Sequence, residues 1–263
     1  MTAGAPAFNV VIPARYASTR LPGKPLSDIG GAPMVVRTVE QVIRSGASEI
    51  VVATDDQRVL EACTDAGVDA MMTSADHRSG TDRMFEVVEA RGWSNDQIVI
   101  NVQGDEPFIP PDSIVQVAEL LQNGKAQIAT LATPVSASAL TDPNVVKVVR
   151  SANDTAIYFS RAAVPMRRDD VNENQVEPLR HIGIYGYRSE ALKLFAEAGC
   201  CELELHEQLE QLRALWHGWP ISVGLARTIP EPGVDTPDDL ANARDYFNRL
   251  NRSGTEPAGK IDL

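Results

Sequence analysis

The stretch F-N-V-V-I-P-A-R-Y-A-S-T-R-L-P-G-K, residues 8–24, decides the fold of this chain. Its segment from Asn9 to Ile12 is a nearly continuous apolar run, which is typical of a strand buried on both faces of a parallel sheet. Pro13 ends this strand because a proline nitrogen cannot donate to the hydrogen-bond ladder. Open α/β sheets bind ligands beyond the carboxyl ends of their strands, so the loop that follows is predicted to face a ligand.

The loop after this strand concentrates positive charge. It carries Arg15, Arg20 and Lys24 together with the hydroxyl of Ser18, and no acidic residue interrupts the stretch. The loop is not a Walker A sequence, because Ser18 stands where the first glycine should be and Pro25 follows the lysine. A solvated basic loop is the alternative interpretation. The absence of acidic residues in an acidic chain favours a binding site for a polyanion.

Composition limits the classes of function that are possible. The chain has 263 residues, with 24 Lys plus Arg and 36 Asp plus Glu, so its formal net charge is −12. That charge argues against a general nucleic-acid binder, which would present a broad basic face. It also means that any site for an anion must be built locally, against the field of the whole molecule. A divalent cation would help for the same reason.

Cysteine usage and the N-terminus predict a cytoplasmic protein. Cys63, Cys200 and Cys201 give neither a disulfide framework nor the spacing of metal ligands, and a reducing compartment is the simplest setting for them. The first residues, M-T-A-G-A-P-A, lack the basic and apolar regions of a signal peptide. No apolar run approaches the length needed to span a membrane, so we expect no membrane insertion.

Strand-like and helix-like patterns alternate over the first half of the chain. The apolar run 49–54 is followed by a helical pattern at 57–66, and the apolar run 97–102 by a helix with Asp112 as its expected N-cap. Such a β-α-β-α order predicts an α/β fold with a doubly wound, mostly parallel sheet. A dinucleotide-binding enzyme is disfavoured because no G-x-G-x-x-G motif occurs.

The second half of the chain changes character. Residues 128–190 are rich in strand patterns, including a strand at 179–188, and contain a charged stretch at 167–177 that we expect to be a surface loop. A helix is predicted over 202–216, with Leu205, Leu209 and Leu212 on its buried face. A final helix begins near Pro237, and residues 251–263 have the composition of a polar tail. We therefore expect a single domain over residues 1–263, with its core at about 8–250.

Two aspartates are candidate metal ligands. Asp105 follows a buried strand in V-Q-G-D-E-P, where it either faces a ligand or simply makes a Gly-Asp turn. Asp235 lies in G-V-D-T-P-D-D-L, where Thr236 and Asp239 form a capping pair and leave Asp235 free for other work. Two separated carboxylates suit Mg²⁺, which keeps several waters and takes other ligands from substrate phosphates.

Further polar candidates follow on strands and helices of the second half. The period of two in L-R-H-I-G-I-Y-G-Y-R places His181 and Tyr185 on one face of a strand, with room for a small polar ligand between them. Arg161 follows an apolar strand and can bind a carboxylate or phosphate bidentately. On the helical pattern, one polar face is better explained by solvation than by a ligand; it contains Glu207, Glu210 and Gln211. Two more arginines are either phosphate ligands or ordinary surface charges, namely Arg78 and Arg83.

Taken together, nine motifs resemble the cytidylyltransferases that activate 3-deoxy-manno-octulosonate (KDO). They cover about residues 8–250 in the expected order, which makes the resemblance specific. The motifs are I-P-A-R-Y-A-S-T-R-L-P-G-K-P at 12–25, V-A-T-D at 52–55, S-G-T-D-R at 79–83, N-V-Q-G-D-E-P at 101–107, V-K-V-V at 146–149, Y-F-S-R-A at 158–162, L-R-H-I-G-I-Y-G-Y-R at 179–188, L-E-Q-L-R at 209–213 and G-V-D-T-P-D-D-L at 233–240.

The resemblance implies a nucleotide-diphospho-sugar transferase-like fold and a Mg²⁺-dependent reaction of CTP with KDO that yields CMP-KDO and pyrophosphate. It further implies a cytoplasmic enzyme of lipopolysaccharide synthesis that forms a homodimer through the strand-rich segment. The implied nucleotide-binding residues are Ala14, Arg15, Ser18, Arg20, Lys24, Ser79 and Gln103, with Gln103 between nucleotide and sugar. The implied sugar-acid residues are Arg161, His181, Tyr185, Glu210 and Gln211, and the implied metal ligands are Asp105 and Asp235.

Two rival functions stay open at this point. The first is a cytidylyltransferase for another acidic sugar, such as a sialic acid or an amino analogue of KDO, because residue types alone do not exclude an amino-for-hydroxyl exchange. The second is a catalytically silent nucleotide-binding regulator on the same fold. The presence of both Asp105 and Asp235 argues against the regulator, since a silent binder needs no metal between two substrates.

Overall fold

A computed structural model describes residues 6–77, 79–166 and 177–253 of the chain. Arg78, nearly all of the 167–177 stretch and the tail beyond residue 253 lie outside these residues. The strands are β1 (Phe8–Ala14), β2 (Asp28–Ile29), β3 (Ala32–Pro33), β4 (Ile50–Thr54), β5 (Ala70–Met72), β6 (Ile98–Asn101), β7 (Ile128–Pro134), β8 (Lys147–Arg150), β9 (Ala156–Ser160), β10 (Leu179–Arg188) and β11 (Ile221–Leu225).

Helices connect most of these strands. None of the helices in the described ranges is both long enough and apolar enough to cross a bilayer. The helices are α1 (Met34–Ile43), α2 (Gln57–Asp65), α3 (Gly80–Arg91), α4 (Pro111–Asn123), α5 (Ala137–Leu140), α6 (Ser189–Glu197), α7 (Glu202–Glu207), α8 (Leu212–Trp216) and α9 (Pro237–Ser253), with a short 3₁₀ helix at Lys24–Leu26.

The predicted doubly wound, mostly parallel sheet is confirmed. Seven strands follow the order β11-β7-β10-β6-β1-β4-β5, and of these seven β10 alone runs against its neighbours in the described part of the chain. The β8–β9 hairpin extends the sheet from the start of β10, and β2 and β3 form a separate small hairpin. The strand-rich segment is therefore continuous with the central sheet.

Apolar side chains on both faces of the sheet form the core. All seven residues of β1 are buried, as the unbroken apolar run predicts for a central strand. Alternate residues of β1 serve opposite faces: Val10 and Ile12 pack with α1, α2 and α4, and Val11 packs with α3 and α6. Because both faces of β1 are packed, the strand is held in place, and so is the loop that follows its carboxyl end.

Helix capping agrees with the sequence prediction at the start of α9 and disagrees at the start of α4. Ser79 caps α3 in a capping box with Asp82, and Thr236 caps α9 through a hydrogen bond from the Asp239 N–H. The prediction that Asp112 caps α4 is wrong, because α4 begins one residue earlier at Pro111. Proline fixes φ at a helical value, and Asp112 then lies in the first turn, where the helix dipole favours a negative charge.

The continuous helix predicted over 202–216 is also wrong. The chain forms α7 and α8 with a turn between them, Gln208 adopts a left-handed φ of 53°, and the Leu205 side chain is 66% exposed. Hydrogen bonds from Ser160 and Arg161 to the carboxylate of Glu207 end α7 at that residue. Tertiary contacts therefore override a local pattern that favours helix.

Strand β10 contains a bulge that preserves its two faces. Ile182 pairs with Leu131 and Tyr185 pairs with Thr130, so β10 carries two more residues than β7 across this step. An even number of extra residues keeps the alternation of side chains in phase. His181 and Tyr185 consequently point to the same layer, as the sequence predicts.

Candidate active site

The carboxyl ends of β1 and β6 open into a cavity of about 360 Å³. Eight residues predicted to bind nucleotide or metal line this cavity, and a ninth, Ser79, immediately precedes the lining residue Gly80. The eight are Ala14, Arg15, Ser18, Arg20, Lys24, Gln103, Asp105 and Asp235. The structure thus brings the basic loop and both candidate acids to one place.

Close contact between two loops shapes the floor of the cavity. The Gly104 N–H donates to the Pro13 carbonyl at 3.2 Å, and a Cβ on Gly104 would lie only 3.1 Å from that carbonyl oxygen and 3.2 Å from the Ala14 Cβ. The carbonyl of Gly104 accepts a hydrogen bond from the hydroxyl of Thr38. A glycine fits here because a side chain would need β1 or the loop after β6 to shift by a few tenths of an ångström.

Internal hydrogen bonds fix the basic loop. The Ser18 hydroxyl oxygen accepts the Leu21 N–H at 3.2 Å, and Gly23 turns the chain with a left-handed φ of 69°. The guanidinium of Arg15 donates to the His77 carbonyl at 2.6 Å, which ties the loop to the segment before α3. These contacts hold the loop's cations around the cavity without neutralising Arg15.

Lys24 joins the two candidate metal ligands. Its ammonium group contacts the Asp105 carboxylate and lies 2.9 Å from the Asp235 carboxylate, which also forms a 3.0 Å ion pair with Arg20. A backbone hydrogen bond of 2.9 Å from the Val234 N–H to the Asp105 carbonyl places the two acidic loops side by side. Burial would lower the pKa of Lys24, but both carboxylates outweigh that effect and raise it above its ordinary value.

The donor set fits a hard divalent cation. Burial above all, and secondarily the nearby Asp105 and Asp235 carboxylates, raise the pKa of Glu106 to about 8. No cluster of three possible ligands exists within the described residues, so the protein would supply part of a coordination shell. Mg²⁺ accepts that arrangement, because it completes its octahedron with waters and phosphate oxygens.

A second group of predicted residues lies on and around the first half of β10. The rings of His181 and Tyr185 are 5.2 Å apart, and His181 also meets the Phe159 ring edge-on at 5.2 Å. The Thr130 hydroxyl lies 3.1 Å from His181 Nε2. Burial lowers the pKa of His181 to about 3, so the ring is neutral at neutral pH. The Tyr185 hydroxyl is buried and has no partner among the described residues, so it is available to a ligand.

Glu210 belongs to the same region, contrary to its assignment to a helix face. It lies in the turn between α7 and α8, where one carboxylate oxygen accepts the Thr81 hydroxyl at 3.0 Å and the other, which accepts no hydrogen bond among the described residues, lies 4.0 Å from the Arg213 guanidinium. Burial raises the pKa of Glu210, and the hydroxyls of Ser79 and Thr81 oppose that rise. Gln211, also in the turn, is 9% exposed. Solvation is therefore the wrong explanation for both residues.

Comparison with known proteins gives the family. A family model described as Cytidylyltransferase matches residues 9–226. The chain belongs to the cytidylyltransferase family. It is 52% identical to the 3-deoxy-manno-octulosonate cytidylyltransferase of Proteus mirabilis over 250 residues, covering 93% of this chain and 99% of that protein. With the enzyme of the same name from Pseudomonas fluorescens it shares 54% identity over 246 residues, covering 90% and 97%.

A solved structure extends the comparison to three dimensions. The CMP:2-keto-3-deoxy-manno-octonic acid synthetase complexed with CTP superposes on this cytidylyltransferase fold with a TM-score of 0.86 at 39% identity. The match covers 92% of this chain and 99% of that one. The agreement in fold and sequence therefore extends over nearly the whole length of both chains.

Two arginines that the sequence offers as anion ligands, Arg83 and Arg161, lie outside the lining of the cavity. Arg83 is completely buried, forms a 2.9 Å ion pair with Asp55 and contacts the Thr73 hydroxyl, so it is a structural residue of this cytidylyltransferase core and not a surface charge. Arg161 donates to the backbone carbonyls of Pro143 at 2.9 Å and of Glu207 at 2.8 Å. Its contact with a substrate stays a prediction.

Sequence reasoning missed the residues that support Glu210. Thr81 stands two residues after the N-cap of α3, a position that only the three-dimensional contact with Glu210 distinguishes. Arg213 forms a bidentate pair with Glu204, at 2.8 and 2.6 Å, which bridges α7 and α8 across their turn. The separation of nine residues hid this pair, because a continuous helix would not place the two on one face.

Proposed function

We propose that this chain is a nucleotidyltransferase that joins CTP and 3-deoxy-manno-octulosonate to give CMP-KDO and pyrophosphate. The observation that carries the proposal is the convergence of Lys24 with Asp105 and Asp235 at the carboxyl edge of the sheet. The names of the relatives and of the CTP-bound neighbour support the choice of substrates.

The cavity at the end of β1 would hold the nucleotide. Arg15, Arg20 and Lys24 supply the charge that a triphosphate needs, and the loop containing Ser18 presents backbone and hydroxyl groups to it. Ala14 lines the same cavity, and Ser79 begins α3, whose N-terminal dipole favours an anion. Gln103 lines the cavity and donates to Asn101, which pairs with Tyr185 of β10, so we expect Gln103 to contact both nucleotide and sugar.

The region beneath β10 would hold the sugar acid. The neutral ring of His181, the Tyr185 hydroxyl and the carboxylate of Glu210 offer hydrogen bonds to a polyhydroxy ligand. Gln211 adds an amide, and Arg161 would provide a positive charge for the carboxylate of the sugar. His181 adds no charge to this pocket, because its lowered pKa keeps the ring neutral.

Asp105 and Asp235 would hold Mg²⁺ between the two substrates. The chemistry that Mg²⁺ supplies when bound is neutralisation of phosphate charge and a lower pKa for the attacking hydroxyl. Lys24, which contacts both carboxylates, would then have the triphosphate as an additional partner. The flexible side chain of Lys24 can reach the triphosphate without movement of the backbone.

Catalysis in this site requires positioning more than covalent chemistry. The C2 hydroxyl of the sugar would attack the α-phosphate in line, and pyrophosphate would leave on the side of the basic loop. Arg15, Arg20 and Lys24 would stabilise the charge that develops on the leaving group. His181 is a poor general base with a pKa of about 3, so the hydroxyl, its pKa lowered by a Mg²⁺ ion held by Asp105 and Asp235, would give its proton to water.

We further propose a cytoplasmic homodimer that serves lipopolysaccharide synthesis. The free state of Cys63, Cys200 and Cys201 suits a reducing compartment. Exposed apolar side chains on and beside the β8–β9 hairpin, Ile157 at 59% and Met166 at 86%, suit burial against a second copy.

Pyrophosphate release tests the proposed reaction. The purified chain is assayed with CTP, Mg²⁺ and a panel of acids that includes KDO, its amino analogue and a sialic acid. We expect turnover with KDO. Turnover with another acid but not with KDO would replace the sugar assignment, and binding of CTP without turnover of any acid would favour the silent regulator.

A further inference from the structure

The turn between α7 and α8, residues 208–211, carries two of the six side chains proposed to bind the sugar acid. These are Glu210 and Gln211, and neither lies in regular secondary structure. A turn has few backbone hydrogen bonds of its own, so its shape depends on neighbouring residues. The residues that anchor its two ends therefore decide where Glu210 points.

Glu207 anchors the first end through its carboxylate. One oxygen accepts the Ser160 hydroxyl at 2.7 Å, and the other accepts the Arg161 N–H at 3.0 Å. In return, the guanidinium of Arg161 donates to the carbonyl of Glu207 at 2.8 Å and to that of Gln208 at 3.4 Å. The contact is reciprocal, and it fastens the end of α7 to the end of β9.

The groups that meet Glu207 are themselves fixed. The Lys147 side chain is completely buried, and its ammonium donates to the Arg161 carbonyl at 2.5 Å and to two other carbonyls, those of Asp142 and Val145. β9 thus presents a rigid edge to the turn. At the other end of the turn, the bidentate Arg213–Glu204 pair holds α8 against α7.

Glu207 cannot easily serve as a direct ligand of the substrate. Both of its oxygens already accept hydrogen bonds, from the Ser160 hydroxyl and the Arg161 N–H. Burial would raise the pKa of Glu207, but the bonds from Arg161 and Ser160 lower it below its ordinary value, so the group stays ionised. Its contacts lead to substrate only through Arg161 and the turn.

We propose that Glu207 is a positioning residue for the sugar acid: through its bonds to Ser160 and Arg161 it sets the geometry of the 208–211 turn and of Arg161. This inference rests on the proposed function, because it assigns the turn to the second substrate. It separates the two halves of the site, since the hydrogen bonds of the Glu207 carboxylate within the described ranges go to Ser160 and Arg161, neither of which lines the nucleotide cavity.

The test compares Glu207→Ala, Glu207→Gln and a control on the same helix, Glu202→Ala, whose side chain is exposed. Kinetics are measured with CTP and with the acid that the wild-type chain turns over, and melting temperature is recorded for each variant. We expect Glu207→Ala to raise KM for the sugar acid about tenfold, the effect of losing a charge-assisted hydrogen bond, and to leave KM for CTP within about twofold.

Conservative substitution provides the decisive arm. A glutamine at 207 can accept the Arg161 N–H and donate to the Ser160 hydroxyl, so Glu207→Gln should restore most of the affinity for the sugar acid. If Glu207→Ala proves too unstable to assay, Ser160→Ala removes one of the same two bonds and should raise the same KM several-fold.

The inference is overturned if Glu207→Ala raises both KM values equally, or lowers the melting temperature without changing either. It is also overturned if Glu207→Gln behaves like Glu207→Ala, which would mean that the charge itself acts on the substrate. Turnover of an acid other than KDO by the wild type overturns the sugar assignment alone, whereas no turnover of any acid overturns both proposals.

Discussion

The hydroxyl of Thr81 donates a 3.0 Å hydrogen bond to the carboxylate of Glu210, which lies 129 positions later in the sequence. Thr81 follows Gly80, which lines the proposed nucleotide cavity, whereas Glu210 belongs to the turn proposed to hold the sugar acid. One side-chain contact therefore links the two halves of the site. Its removal tests whether that link contributes to stability and to binding.

Thr81→Val replaces the hydroxyl by a methyl group of similar shape. Because Glu210 loses one of its two hydroxyl neighbours while remaining buried, we expect the free energy of unfolding to fall by about 1–3 kcal/mol. KM for the sugar acid should rise more than KM for CTP. Urea denaturation measures the first effect, with Thr64→Val as the control because the Thr64 hydroxyl is exposed and bonds only within α2. Equal losses in the two variants would show that the Glu210 contact has no special value.

Asp105→Asn and Asp235→Asn test the proposed metal ligands. Each replacement keeps the size of the side chain and removes its charge, so we expect turnover to fall about a hundredfold or more in either variant. The fold should persist, because Lys24 retains the other aspartate as a partner. Pyrophosphate release and circular dichroism are the two measurements. A nearly normal rate in one variant would remove that aspartate from the metal site.

Gly104→Ala tests the close contact of the two loops at the cavity floor. The new Cβ would lie 3.1 Å from the Pro13 carbonyl oxygen, in a strand buried on both faces that cannot shift to make room. We expect a loss of about 1–3 kcal/mol in the free energy of unfolding and a higher KM for CTP. Gly183→Ala is the matched control, since nothing lies within 4 Å of its Cβ position. A fully stable and active Gly104→Ala would contradict the proposed need for glycine.

His181 should make stability depend on pH. Its pKa is about 3 in the folded chain and near 6.5 when unfolded, so between these values the unfolded state binds one more proton. Its contribution therefore lowers stability as pH falls from about 6.5, by up to about 1.4 kcal/mol for each pH unit. In urea titrations at several pH values, His181→Gln should show a shallower decline than the wild type. Identical slopes would mean that His181 is solvated and titrates normally.

Local patterns predicted the sheet, and they predicted that the residues proposed for the nucleotide lie at its edge. A nearly continuous apolar run predicts a buried strand such as β1. Polar residues directly after such strands must lie at the same edge of a parallel sheet. That argument placed Lys24 and Asp105 together. It also placed Asp235 correctly, because the capping pair of Thr236 and Asp239 left it outside the helix.

The sugar-acid half was less accessible to sequence reasoning. The turn at 208–211 interrupts a sequence with helical periodicity, and the interruption comes from bonds between Glu207 and a strand 46 residues earlier. Arg83 was misjudged for a similar reason, since its partner Asp55 lies 28 residues away. Neither pairing leaves a local signal. The tetrapeptide V-A-T-D and the pentapeptide S-G-T-D-R contain the two partners, but spacing alone does not join them.

The two-residue excess in β10 has a consequence for how this strand can tolerate length changes. Deleting one residue between Ile182 and Tyr185 would turn the His181 side chain toward the opposite apolar layer of the sheet. Deleting two residues would leave the His181 side chain in its present layer. We therefore expect this bulge to accept insertions or deletions of two residues but not of one. Chains of the same fold should have the same number of residues here or differ by two.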